Sequence, residues 1–236
     1  MQHGGTAHPH DEADLGRMLT REYWDERYGA GPVWSGHPNP LLVEYAAELT
    51  PGLALDVGSG EGGDVLWLAG HGWTVTGADI SPVALARAAE LARQAGPQIA
   101  GRITWQQADM LSWAPPERHF DLVSAQFLHL PRAARDSLHQ RLAAAVRPGG
   151  TLLVVGHHPA DLETIPRPFP ERFATGEELA AVLDPARWDI ETGAPQREVA
   201  GPDGTPVTLR DAVLRAVRRA SPGRSAPGPL VSSGAW

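Results

Sequence analysis

The feature that most narrows the fold is the run Leu55-Asp56-Val57-Gly58-Ser59-Gly60-Glu61-Gly62-Gly63, which follows an apolar stretch of strand length and leads into the helical spacing of Val65, Leu66 and Leu68. A sharp turn whose backbone amides lie close to a ligand needs residues without a Cβ. A strand before it and a helix after it place that turn at the ligand end of an α/β sheet. The same alternation continues beyond it. Strands are expected at 53–57, 73–78, 102–106, 120–125 and 151–156. They are separated by helices, one beginning at Ser81-Pro82 and one over 131–146 that stops at Arg147-Pro148-Gly149-Gly150. A short helix from Thr175 to Leu183 and closing strands at 188–199 and 207–218, joined by Gly201-Pro202-Asp203-Gly204, complete the order. The fold class that follows is α/β, a doubly wound, mostly parallel sheet of seven strands. The last strand is ambiguous, because Leu214 and its neighbouring alanines also suit a helix.

At 236 residues with 42% hydrophobic and 20% charged residues, the chain has the length and composition of one packed domain. The expected division is a disordered tail over 1–20, a helical lid over 21–50, the main domain over 51–219 and a second disordered tail over 220–236. The lid rests on a cluster of Tyr23, Trp24, Tyr28, Trp34 and Tyr45. All 20 basic residues are arginine, scattered through a chain of net charge −8, which argues against nucleic acid as a partner. The absence of cysteine excludes disulfides, thiolate metal sites and a cysteine nucleophile. No histidine spacing specifies a metal, so none is expected. No apolar run reaches membrane-spanning length and the first residues lack a signal-peptide layout, so a cytoplasmic protein with no membrane partner is expected.

Gly58, Gly60 and Gly63 alone also satisfy the dinucleotide GxGxxG spacing. Asp79 ends the second strand about 20 residues later, where a carboxylate can accept from both hydroxyls of a ribose. Asp109, in Gln107-Ala108-Asp109-Met110 after the third strand, is where a carboxylate can meet an adenine amino group. His129 and the pair His157-His158 fall at strand ends on the same side of the sheet. Each histidine has the chemistry to deprotonate or orient a substrate.

These segments, with Phe120 to Pro131 and Arg147 to Val155, resemble class I S-adenosylmethionine-dependent methyltransferases over about 23–218. The resemblance implies that Gly58, Ser59 and Gly60 line the amino acid portion of that cofactor, and that Asp56 helps hold its ammonium end. It further implies that Asp79 takes the ribose hydroxyls, that Ile80 packs on adenine, and that Asp109 with Met110 fixes the adenine edge. Tyr23 to Tyr28 and Trp34 to Pro40 resemble the leading region of the thiopurine, thiol and tellurite methyltransferases. This would make Tyr28 and Trp34 parts of a closing lid. The expected activity is methyl transfer to a heteroatom (S, O or N) of a small molecule. Gln126, His129 and His157 are the catalytic candidates, and Gln126 is also a candidate cofactor contact. Two other readings remain open: a nicotinamide-dependent oxidoreductase, and a protein that binds S-adenosylmethionine without methylating.

Overall fold

In a computed structural model, the chain is described over residues 12–165, 167–201 and 204–220. Three helices come first: α1 (Glu12–Met18), α2 (Arg21–Gly29) and α3 (Pro40–Ala47). There follow β1 (Leu53–Val57), α4 (Gly63–Gly70), β2 (Thr74–Asp79), α5 (Pro82–Ala95), α6 (Pro97–Ala100) and β3 (Ile103–Gln107). The second half contains β4 (Phe120–Gln126), α7 (Arg132–Ala145), β5 (Val146–His157), two single 3-10 turns (Pro159–Asp161 and Pro170–Arg172), α8 (Gly176–Ala180), β6 (Trp188–Gly193), β7 (Gln196–Ala200) and β8 (Pro206–Arg218).

The sheet runs β3-β2-β1-β4-β5-β8-β6, parallel through β5 and antiparallel on both sides of β8, with β7 paired to β8 off that path. The α/β class and mostly parallel sheet expected from the sequence are present, but the strands number eight rather than seven. The extra one arises because 188–199 is not continuous. The chain breaks at Ala194-Pro195, where proline has no amide to give a ladder, and resumes as β7. β8 is long enough to serve both pieces. Its beginning pairs with β7 and its end with β6.

The ambiguity of 207–218 has a physical origin: between β5 and β6, β8 is covered on both faces, so Ala212, Val213, Leu214 and Ala216 are all buried and period-two alternation disappears. The Arg147-Pro148-Gly149-Gly150 stop does not separate helix from strand. Val146 already pairs with Phe120, and the register then jumps to Leu122 opposite Thr151, leaving those four residues in a bulge.

The core lies on both faces of the sheet. On one, Leu55, Val57, Val123, Leu152 and Leu214 meet Leu138 and Leu142 of α7. On the other, Ala54, Val75, Leu122, Leu153 and Val213 meet Val65 and Leu68 of α4 and Leu42 and Ala46 of α3. The leader is therefore joined to the core. Residues 12–18, expected to belong to the first tail, form α1; most of the rest of the two expected tails, residues 1–11 and 221–236, lies outside the described residues, as do Pro202 and Asp203 of the expected turn. No helix among the described residues is long and apolar enough to cross a membrane.

Candidate active site

β1 ends in the glycine turn, which is fastened to β2: Gly58 and Ser59 both donate to the Ala78 carbonyl, at 2.8 and 3.0 Å. Gly58, Gly60 and Gly62 adopt positive φ angles of 72°, 50° and 84°. Gly60 is closely surrounded, since a Cβ there would lie 2.9 Å from the Tyr28 hydroxyl and 3.3 Å from Trp34 Nε1. The sequence sets a left-handed backbone and a close approach at one position, which only glycine meets without strain.

Asp79 joins the turn to the next helix. Its Oδ2 accepts from Gly60 N at 2.8 Å and its Oδ1 from Ser81 N at 2.9 Å. Ser81 in turn caps α5, as Ser-Pro predicts, and its hydroxyl donates to Asp25 of α2. Three carboxylates surround this turn, all titrating above their ordinary range. Asp56 is buried, and desolvation, reinforced by the charge of Asp64, raises it well above the usual value despite a bond from Ser124. Burial lifts Asp64 to about 6 and raises Asp79 in spite of its backbone donors. The Ser59 hydroxyl is buried there without a partner.

The leader meets the turn through Trp34 and Tyr28, expected from the sequence to belong to a lid, and through Glu61, Arg87 and Asn39, to which the sequence assigned no role. Glu61 Oε2 accepts from both Val33 N and Trp34 N at 3.0 Å, while its other oxygen pairs with Arg87 of α5. Arg87 also donates to the carbonyls of Gly31 and Tyr28, each at 2.7 Å. Burial would lift Glu61, but its bonds from Arg87, Trp34 and Val33 outweigh that and hold it low. Trp34 Nε1 donates to the Tyr28 hydroxyl at 3.0 Å, yet the Trp34 side chain remains largely exposed. Asn39 N donates to Asp64 at 2.6 Å, and Asn39 Nδ2 donates to Gln126 Oε1 at 3.0 Å. The acids of the turn were visible in sequence; that they meet leader amides was not, because the pairs lie more than 20 residues apart.

Of the other expected residues, Ile80 is half-buried beside the turn and Met110 is buried in the core. Asp109 is exposed, and its Oδ1 accepts from Leu111 N at 2.9 Å, which orders its own loop. Gln126 lies between Asn39 and Ser124, to whose hydroxyl its amide donates at 2.9 Å. His129 and His157 come together at the ends of β4 and β5. Their rings stack with centroids 5.0 Å apart and planes 9° from parallel. His129 Nε2 accepts from His157 N at 3.1 Å. Phe127 approaches His157 at 4.7 Å and Phe173 approaches His129 at 4.8 Å. Burial, then the positive field of neighbouring groups, lowers His129 to about 3 and His157 to about 4. Both rings are therefore neutral at pH 7. His158 is apart from them, capping the next 3-10 turn.

Residues 54–150 match the family model of the methyltransferase domain, and together with the fold this supports a class I S-adenosylmethionine-dependent methyltransferase, with S-adenosylmethionine as cofactor. It is 28% identical over 187 residues, 76% of this chain and 78% of the relative, to 2-heptyl-1-hydroxyquinolin-4(1H)-one methyltransferase of Mycobacteroides abscessus. It is 34% identical over 167 residues to 2-methyl-6-phytyl-1,4-hydroquinone methyltransferase of a Synechocystis species, covering 69% of this chain but only 50% of that longer relative. Among solved structures, magnesium protoporphyrin IX methyltransferase of Synechocystis with bound S-adenosylhomocysteine shares the fold, with a TM-score of 0.61 at 20% identity over 86% of this chain and 99% of that one.

Proposed function

We propose that this chain transfers a methyl group from S-adenosylmethionine to a hydroxyl oxygen on the ring of a small aromatic molecule. The observation that carries the cofactor assignment is the chemistry of the glycine turn. It combines a buried, unpartnered Ser59 hydroxyl with three carboxylates that desolvation has raised. A ligand bearing an ammonium and a sulfonium relieves that arrangement, whereas a pyrophosphate worsens it, and this favours the methyltransferase reading over a nicotinamide one. In this assignment Asp56, Gly58, Ser59 and Gly60 hold the amino acid portion and Asp79 the ribose. Ile80, Met110 and Asp109 border the adenine, and Trp34 and Gln126 close the site. Residues 21–50 form the lid over a transfer domain of 51–219.

When bound, the cofactor supplies a methyl group on a positively charged sulfur; the acceptor oxygen's lone pair forms the new carbon–oxygen bond and the carbon–sulfur pair returns to sulfur. The protein's part is alignment and exclusion of water. His129 and His157 orient the acceptor rather than take its proton, because His129 Nε2 is already occupied and both rings resist protonation near neutral pH. Both named relatives act on oxygen-bearing aromatic rings. The flat faces of Phe127, His157, His129 and Phe173 suit such a ring.

The test is formation of S-adenosylhomocysteine with a panel comprising a hydroxyquinolone, a hydroquinone, an aryl thiol and an aryl amine. Turnover on the hydroxylated rings is expected. Turnover confined to the thiol or the amine overturns the oxygen assignment, and tight cofactor binding with no turnover on any of them favours a non-methylating protein.

A further inference from the structure

Two arginines border the stacked histidines, and neither has a carboxylate partner among the described residues. The Arg172 guanidinium lies over Phe169 at 5.4 Å and over Phe173 at 5.7 Å from the ring centroids, the second being the ring that abuts His129. Its polar contacts are weak: NH1 is 3.5 Å from the His129 carbonyl, NH2 is 3.3 Å from the Pro168 carbonyl, and Nε is buried with no partner. Arg167 is half-buried nearby. The two other arginines of this region are already neutralised, Arg197 by Asp211 at 2.8 Å and Arg210 by Asp161 at 2.7 Å. Two half-buried guanidiniums with no carboxylate within ion-pair distance among the described residues, beside a wall of flat rings, form an incomplete charge arrangement, and a planar anion is the ligand that completes it.

We infer that Arg172 and Arg167 form an anion subsite, which binds the methyl acceptor as an ionised hydroxyl, a phenolate or an N-oxide anion, on a planar ring. This rests on the methyltransferase reading above and names the state in which the acceptor enters. The acceptor's proton goes to solvent as the anion binds, so no protein group has to receive it. The neutral histidines fit the same scheme. Arg167 and Arg172 face His129, and Arg167 and Arg197 face His157; only Asp161 opposes them, from the side of His157. Around the arginines themselves, Glu171 and Tyr23 face Arg172, and Arg197 and Asp211 face Arg167. The positive charge of these arginines, which together with the larger effect of burial keeps the imidazoles neutral, favours an ionised acceptor hydroxyl; burial itself opposes that ionisation, so the arginines have to outweigh it.

The experiment uses the full chain saturated with S-adenosylhomocysteine, so that no transfer occurs, and follows the ultraviolet spectrum of a bound hydroxyquinolone across pH. The bound hydroxyl is expected to ionise at lower pH than the free compound. Arg172→Met and, separately, Arg167→Met should each weaken binding of the ionised form about tenfold and move the bound ionisation back toward the free value, while Arg172→Lys restores part of the shift. A merely structural role for Arg172 lowers the melting temperature without moving the ionisation. Bound and free ionisation at the same pH overturns the subsite while leaving methyl transfer standing. So does a hydroxyquinolone that fails to bind a protein that turns over an amine or thiol. Failure to bind S-adenosylhomocysteine overturns the methyltransferase reading itself, and the subsite with it.

Discussion

The two halves of the site are built from opposite charge. At the glycine turn, Asp56, Asp64 and Asp79 gather, and the leader is tied down by backbone amides donating to Glu61 and Asp64. Further along the same side of the sheet, the ends of β4 and β5 lead into Phe127 and the neutral histidines, and the segment after β5 adds Phe173 with Arg167 and Arg172, neither of them in an ion pair among the described residues. The acidic half suits a cationic donor and the basic half an anionic acceptor. On the proposed reading, charge is sorted by the substrate each half holds, and the net charge of −8 gives no hint of it.

The largest effect that bears on this contrast is expected at Asp79. Both of its oxygens accept from backbone amides that would be left without a partner in Asp79→Ala. Affinity for S-adenosylhomocysteine should fall about 100-fold, measured by titration calorimetry, since stranded donors add to the lost ribose contact. An unchanged affinity would remove Asp79 from the acidic half altogether. Next comes Glu61→Gln, which keeps an acceptor oxygen but loses the charge that holds Arg87. With the leader loosened, cofactor affinity should drop about tenfold while binding of the acceptor's ionised form is preserved. An equal loss on both sides would mean that the halves are not separable.

The smallest effect is also the one that sets the halves directly against each other. Asp64 titrates near 6 in the folded chain, above its unfolded value, so the stability it contributes is present at low pH and is lost as pH rises through about 6. His157 titrates near 4, below the ordinary imidazole value of about 6.5, so its contribution is present above 6.5 and is lost as pH falls toward 4. In melting curves of the cofactor-free protein between pH 4 and 7, the advantage of wild type over Asp64→Asn should shrink as pH rises. The advantage over His157→Asn should shrink as pH falls. Slopes of the same sign for both variants would break the comparison.

The acidic half was much more legible in the sequence than the basic one, for a local reason. The turn, Asp79 and Ser81-Pro82 announce themselves because a glycine with positive φ, a strand-end acid and a helix cap are each set by neighbours within a few residues. The other half depends on contacts between residues far apart: His129 against Phe173 and Arg172 against the His129 carbonyl. No spacing encodes these, so the histidines could be placed at strand ends but neither their stacking nor their neutrality could be foreseen. Asp109 lies between the two cases. Its position after β3 was read correctly, and its bond to Leu111 N shows a turn-forming role that the same residue type would serve without any ligand.

The long β8 has a consequence for how such a chain changes over generations. Its pairing with β5 begins at Asp211, opposite His157, so the residues before it pair with no strand but β7 among the described residues. The Arg197–Asp211 ion pair ties that hairpin's two strands together, and the pair of Arg210 with Asp161 joins it to the segment after β5. It is a detachable panel: its length, twist and lining can be exchanged while β1, β2 and the glycine turn stay as they are. On the proposed reading, changes in that hairpin would alter the acceptor side and leave the donor turn, with which it shares no strand pairing, as it is.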